Sequence, residues 1–292
     1  MENLISQKID FIATKYGLKL LMRTHCNTLE EFGKINHFCK SYGLHAFHSS
    51  IRIKKIALNY NKKIFSVYIS KDKKIAQRFS LKDPEHSKSS DISELKYLSR
   101  MLGYPECCID FFLNLNLKKY GENTKKEILF KKILEKRKFY LLNNFLYGLG
   151  YSLSFYQPCS YHCKAALDYN KKILEAIREE NPYFATKIEE YLRFPLLIWF
   201  DAESDIDDFF HNRIQLLFKG HIQNSVVYYE DVILYRKYPH CNHSFHEGRL
   251  KEFFLGDRCR IVNNKIKIFS KNKFLKEIKI NNKYHGVLIN FI

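Results

Sequence analysis

No glycine-rich phosphate loop, G-x-S-x-G elbow or dinucleotide-binding fingerprint occurs anywhere in this sequence. The commonest nucleotide and serine-hydrolase chemistries therefore have no local foothold. A long apolar run is missing too. The longest uncharged stretch, Phe139 to Cys163, is interrupted by Asn143 and Asn144, loosened by Gly148 and Gly150, and closes on Ser152, Ser154, Gln157 and Pro158. A spanning helix needs about 20 predominantly apolar residues, so this stretch reads as a buried connection rich in aromatics, and no membrane partner is expected. With Glu2, Lys8 and Asp10 where a signal's apolar region would lie, no secretory signal is expected at the start of the sequence, and a cytoplasmic location is expected. Acidic residues are in deficit, 31 against 49 Lys and Arg, for a net charge of +18. Proline is scarce, with 6 in 292 residues, yet two of these prolines lead directly into cysteine groups.

What is present is a globular composition, 46% hydrophobic and 27% charged, with 8 cysteines. In a reducing compartment their spacing matters more than disulfide arithmetic. Cys107 and Cys108 lie in G-Y-P-E-C-C, and Cys159 and Cys163 in Q-P-C-S-Y-H-C, about fifty residues on. Cys26, Cys39, Cys241 and Cys259 are scattered and read as small buried hydrophobes.

Coarse structure places the grouped cysteines. T-L-E-E from Thr28 predicts a capped helix to about Tyr42. Residues 51 to 70 favour two strands with Asn59 to Lys62 as their turn, and Lys73 to Leu81 a short helix. Asp91 can cap a helix whose stripe is Ile92, Leu95, Leu98 and Leu102, stopped by Gly103. Pro105 suits the first turn of the next helix, which puts Cys107 and Cys108 in that turn. Lys125 to Leu142 reads as one long amphipathic helix. Pro158 repeats the device, with Cys159 and Cys163 on one face of a helix running to about Glu180 and Ala166, Tyr169, Ile173 and Ile177 continuing that face.

Both pairs thus join a proline to thiols near a helix N-terminus, where backbone N–H groups and the dipole favour negative charge and predict lowered thiol pKa values. Four thiolates at Cys107, Cys108, Cys159 and Cys163 suit a tetrahedral zinc or an iron-sulfur cluster. Adjacent helical residues point about 100° apart, so Cys107 and Cys108 converge only with a distorted first turn. Three thiolates with an open or histidine-filled fourth position, His162 being nearest, is the variant. A thiol redox or nucleophilic site and plain packing are the alternatives. A shared site requires the sulfurs of Cys159 and Cys163 to lie within about 8 Å of Cys107 or Cys108.

G-Y-P-E-C-C-I-D-F-F followed by P-C-S-Y-H-C resembles the paired signature of a largely archaeal family catalogued as domain of unknown function 483, over about residues 67 to 180. The resemblance implies that Gly103, Tyr104, Pro105, Cys107, Cys108, Pro158, Cys159 and Cys163 form one signature. It implies no activity.

Two weaker groups are His240, Cys241, His243 and His246, which read as a polar loop, and D-A-E-S-D-I-D-D from Asp201. The latter imitates a calcium loop until Ile206 and Asn212 stand where glycine and a bidentate glutamate belong.

Charge is concentrated. Residues 51 to 82 carry Arg52, Lys54, Lys55, Lys62, Lys63, Lys71, Lys73, Lys74, Arg78 and Lys82 against Asp72 alone, a local +9 that is half the total. Interleaved with Tyr60, Phe65 and Tyr68, this is the composition of a phosphate-binding face with stacking platforms, Arg52, Lys54, Lys55, Lys62 and Lys63 being the nucleic-acid candidates. Lysine-rich strand edges kept for solubility are the plain alternative.

From about Pro195 short strands are expected at Leu196–Phe200, Ser225–Tyr229, Cys259–Val262, Ile266–Phe269 and Val287–Ile292, with Asn263–Asn264 as a hairpin turn. The expectation is an α+β protein: a mainly helical domain over 1–194 with a basic hairpin and the cysteine motifs, and a β-rich module over 195–292. Its cysteine-ligated zinc or iron-sulfur site would serve a metal-dependent enzyme or a sulfur or metal carrier acting on or near RNA. A nucleic-acid-binding module with a structural zinc and a thiol redox protein are the other readings.

Overall fold

The computed structural model describes residues 3–54, 63–82, 92–117, 120–200, 213–236, 251–280, 283 and 286–292. Helices and two antiparallel sheets place the protein in the α+β class. Two compact units interleave along the chain. Met1–Lys118, Ser152–Cys159 and Cys163–Thr186 form the first, and Lys119–Tyr151, Ser160–His162 and Lys187–Ile292 the second. The last crossing, at 186/187, comes eight residues before the expected 194/195 boundary.

The first unit contains α1 (Asn3–Lys15), β1 (Met22–Cys26), α2 (Leu29–Ser41), β2 (His45–Lys54), β3 (Lys63–Ser70), α3 (Lys73–Lys82), α4 (Ile92–Met101) and α5 (Glu106–Leu117). After α6 (Glu122–Ile133) of the second unit, the chain returns to the first for α7 (Lys164–Glu180). The sheet order is β1-β3-β2, so β3 is the central strand, with Val67 opposite Thr24 on one side and His48 on the other. Successive side chains of a strand point to opposite faces, and here both faces are covered. Val67 and Ile69 pack with Met22, Cys26, Cys39, Leu44 and Ala46, while Tyr68 packs with Leu21, Phe79 and Leu98. That is why I-F-S-V-Y-I reads as a nearly continuous apolar run rather than an alternating one.

α2 starts as its sequence dictates. The Thr28 hydroxyl accepts from the Glu31 N–H at 3.1 Å, and the Glu31 carboxylate reaches back to accept from the Asn27 N–H at 2.6 Å. This backbone donation holds the Glu31 carboxyl below the usual range. The turn expected at Asn59 to Lys62 and the cap at Asp91 lie outside the described residues.

In the second unit α8 (Pro182–Arg193), which begins in the first, leads into β4 (Leu196–Phe200). β5 (Arg213–Gln223), β6 (Val226–Arg236), β7 (Arg258–Val262), β8 (Lys265–Ser270), β9 (Lys273–Lys279) and β10 (Val287–Ile289) complete a sheet of order β10-β4-β5-β6-β7-β8-β9. Three hairpin turns, Asn224–Ser225, Asn263–Asn264 and Lys271–Asn272, have positive φ at both central residues. This is the type I′ geometry that matches strand twist, and Asn tolerates it better than most residues. One face buries Leu197, Trp199, Leu216, Phe218, Val227, Tyr229, Ile266 and Ile268.

The expected helix over Lys125 to Leu142 is shorter than its periodicity suggests, because α6 ends at Ile133. Tertiary partners claim the backbone beyond it. The N–H of Phe139 donates to the Tyr161 carbonyl, that of Tyr140 to the Ile292 carbonyl, and that of Ile292 to the Lys138 carbonyl. The uncharged stretch then forms 3-10 turns at Tyr140–Leu142 and Asn144–Leu149, burying Leu141, Leu142, Phe145 and Leu146. Among the described residues no helix is long and apolar enough to cross a membrane. Strands β1, β5 and β9 escape the sequence reading. β9 carries four charges in K-F-L-K-E-I-K, a pattern that hides a strand.

Replacing Thr28 with Ala removes the acceptor for the Glu31 N–H and should cost about 1 kcal/mol of stability, as N-cap losses do. Urea unfolding measures this, and Thr28→Ser should recover most of the loss.

Candidate metal centre

Local sequence builds the first half of the site. α4 ends at Gly103 with φ of +82°. The N–H of Gly103 donates to the Arg100 carbonyl and that of Tyr104 to the Ser99 carbonyl, a Schellman closure. Pro105 follows at the N-cap position, its carbonyl accepting from the N–H groups of Cys108 and Ile109 at 2.9 and 3.0 Å. Cys107 and Cys108 are then the second and third residues of α5.

The second half differs from expectation. Cys159 is not helical, and Cys163 is the N-cap of α7, which begins at Lys164. Glu135 and Ser160 hold the three residues between them. Glu135 accepts from the Tyr161 N–H at 3.2 Å and faces His162 Nδ1 at 3.1 Å, and the Ser160 hydroxyl accepts from the His162 N–H. A turn with these partners has no need of helical hydrogen bonds. His162, engaged with Glu135, is not among the gathered ligand atoms.

The four thiols meet. Their sulfurs all lie within 4.8 Å of one another, inside the 8 Å allowance. Cys107 Sγ is 3.6 Å from Cys163 Sγ and 4.0 Å from Cys108 Sγ, and Cys108 to Cys163 is 4.0 Å. The Cys159 N–H donates to Cys108 Sγ at 3.3 Å. Adjacent residues converge here because helical Cα–Cβ bonds tilt toward the N-terminus. In a first turn no preceding turn blocks them, so both side chains lean past the helix end. The group can hold a metal ion.

Its electrostatics reverse the simple helix-dipole expectation. The Cys107 thiol is pushed up to about 11 by burial and by its neighbours Cys163 and Cys159. Cys108 is pushed up further, first by its contact with Cys159 and then by burial. Like groups crowded together compete for negative charge, and the first ionisation opposes the next. A divalent cation at their centre inverts that balance, since a coordinating thiol is deprotonated outright.

Three tyrosines stand beside the site, of which Tyr156 was not named from the sequence. Tyr104 and Tyr156 lie 4.5 Å apart between ring centroids, and a Cβ on Gly103 would sit 2.1 Å from the Tyr169 hydroxyl. No spacing in the sequence signals this, because Tyr156 and Tyr169 belong to different segments. Cys26, Cys39 and Cys259 are buried among apolar side chains, as expected of small hydrophobes. Cys241, the histidine group at 240–246 and the acidic group at 201–208 lie outside the described residues.

The basic stretch is only partly described. Arg52 and Lys54 lie on β2 and Lys63 on β3, with Lys54 opposite Lys63, while Lys55 and Lys62 are outside the described residues. Lys71, Lys73 and Lys74 are exposed, and Arg78 and Lys82 both pair with Glu94 at 3.2 Å. Tyr68 is fully buried against Phe79, so it is no stacking platform. As the residue of β3 that faces α3 and α4, it belongs to the core. Family models, curated proteins and solved structures were all compared with the chain, and none matches.

Gly103→Ala would force a left-handed residue and drive a methyl group into Tyr169, an expected loss of about 1 to 3 kcal/mol. In a Tyr169→Phe background the closest clash is gone, so a double-mutant cycle on thermal unfolding should show a smaller penalty. Equal penalties in both backgrounds would place the cost in the backbone alone.

Proposed function

We propose that Cys107, Cys108, Cys159 and Cys163 hold one zinc ion in a closed tetrahedral site, and that the protein is a nucleic-acid-binding module built on that structural metal. The sulfur spacing carries the first half. A zinc–sulfur bond of about 2.3 Å gives a tetrahedral edge of about 3.8 Å, the three separations among Cys107, Cys108 and Cys163 are 3.6 to 4.0 Å, and the Cys159 sulfur lies within 4.8 Å of the others. In an iron-sulfur cluster each thiolate points outward from its own iron, which spreads the sulfurs beyond the edge of a single-ion site. Four filled positions leave no place for substrate, so a structural role fits better than hydrolysis or cargo transfer. A site of this kind ties the start of α5 to the start of α7, 56 residues apart at Cys107 and Cys163. A reducing compartment such as the cytoplasm suits free thiols.

The nucleic-acid half rests on charge, the +9 over residues 51 to 82 with Arg52, Lys54, Lys55, Lys62 and Lys63 at its hairpin. RNA is the favoured partner. Membership of the domain of unknown function 483 family is proposed on the signature residues, of which Gly103, Pro105 and the four cysteines all belong to this one locality.

Anaerobically purified protein should carry one zinc per chain and no acid-labile sulfide, and Cys159→Ser or Cys163→Ser should lose the metal. Zinc affinity should fall as pH is lowered, because each ligand must shed its proton to bind. Iron with sulfide in the wild type, or folded protein without metal, would refute the zinc site. Lys54→Glu, Lys62→Glu and Lys63→Glu together should weaken single-stranded RNA binding equally across sequences and flatten its salt dependence, by a log-log slope of about 0.7 per lost contact. No RNA binding by the wild type at about 50 mM salt, where electrostatic attachment is strong, would refute the nucleic-acid half and leave the zinc site standing.

A further inference from the structure

The four sulfurs are not equally protected. Cys108 is buried and takes the Cys159 N–H, Cys159 and Cys163 are half-buried, and Cys107 is exposed. Cys107 stands in the first turn of α5, where the surrounding Arg100–Glu106 and Lys96–Asp110 ion pairs are themselves exposed. Cys163 Sγ lies 3.6 Å from Cys107 Sγ, closer than Cys108 Sγ at 4.0 Å.

We infer that Cys107 is the oxidation-sensitive ligand of the centre and that hydrogen peroxide converts Cys107 and Cys163 into a disulfide, expelling the zinc. The inference rests on the zinc reading above and adds a chemical response to it. A metal-bound cysteine is held as thiolate, the nucleophilic form. The Cys107 sulfur attacks one peroxide oxygen, forming an S–O bond as the O–O bond breaks and hydroxide leaves, so sulfur loses two electrons to the peroxide. The Cys163 thiolate then attacks the sulfenic sulfur. The S–S bond forms, the S–O bond breaks, a second hydroxide leaves, and both hydroxides take protons from solvent as water.

Exposure selects Cys107 for the first step, since peroxide reaches the other three less readily. Between Cys108 and Cys163, geometry selects Cys163 for the second. A Cys107–Cys108 disulfide would close a small ring through the peptide bond between them and distort the first turn of α5. Cys163 sits on a separate element and needs only side-chain closure from 3.6 Å to a bond of about 2 Å. Two of four ligands are then spent, and Cys108 with Cys159 cannot retain a tetrahedral ion alone.

Zinc-loaded full-length protein is treated with hydrogen peroxide, released zinc is followed with a chromogenic chelator, and the disulfide is assigned by fragmentation mass spectrometry. The expected result is release of the bound zinc with a Cys107–Cys163 crosslink, reversed by dithiothreitol and added zinc. Cys107→Asp keeps an anionic ligand that cannot form a sulfenic acid, and its zinc release should be at least about tenfold slower. If that variant does not bind zinc, the crosslink map of the wild type decides. Zinc retained under peroxide, a different crosslink, or unchanged release in a zinc-bound Cys107→Asp protein would overturn the inference while the zinc site stands. Absence of zinc before oxidation, read in the same assay, would overturn both.

Discussion

Four sulfur atoms brought within 4.8 Å of one another impose the tightest chemical constraint on the first unit. As thiols they form a crowded cluster in which Cys107 and Cys108 resist ionisation. As thiolates they would repel, and only a cation among them makes the arrangement favourable. The backbone around them serves that convergence. A left-handed Gly103 stops α4, Pro105 starts α5 one residue ahead of Glu106, and Cys163 occupies the N-cap of α7.

The rest of each unit is held by ordinary packing. In the first, β3 is sandwiched between two apolar clusters, one reached by Val67 and Ile69 and the other by Tyr68. In the second, hairpin turns set the register of a seven-stranded sheet whose buried face runs from Leu197 to Ile268. Gly220 shows how tight that sheet is. It stands at a register shift in β5, where a Cβ would lie 1.9 Å from the Tyr228 carbonyl oxygen.

Charge and coordination chemistry occupy different stretches of sequence. The basic stretch between 51 and 82 acts through a field that salt screens over about 10 Å at 0.1 M, and its exposed lysines at 71, 73 and 74 are solvated. The cysteine group acts at bond length. A change in one can therefore leave the other intact, so the two can be assayed separately.

Much of this was legible in sequence because it is local. Thr28 and Glu31 encode a cap, Gly103 and Pro105 a stop and a start, and Asn263–Asn264 a type I′ turn, each through a neighbour within a few residues. The α+β class and the identity of the four cysteines follow from the same kind of pattern. Tertiary structure decided the rest, by supplying partners from far along the chain. It ended α6 at Ile133, because Lys138 and Tyr140 bond to Ile292 and Phe139 to Tyr161. It kept Cys159 out of a helix, with Glu135 taking up the backbone of the turn that follows. It buried Tyr68, which composition alone had placed on a binding face, and it brought Cys107 to within 3.6 Å of Cys163. Sequence fixes which groups can bond locally, but it cannot say which distant group will arrive to compete for them.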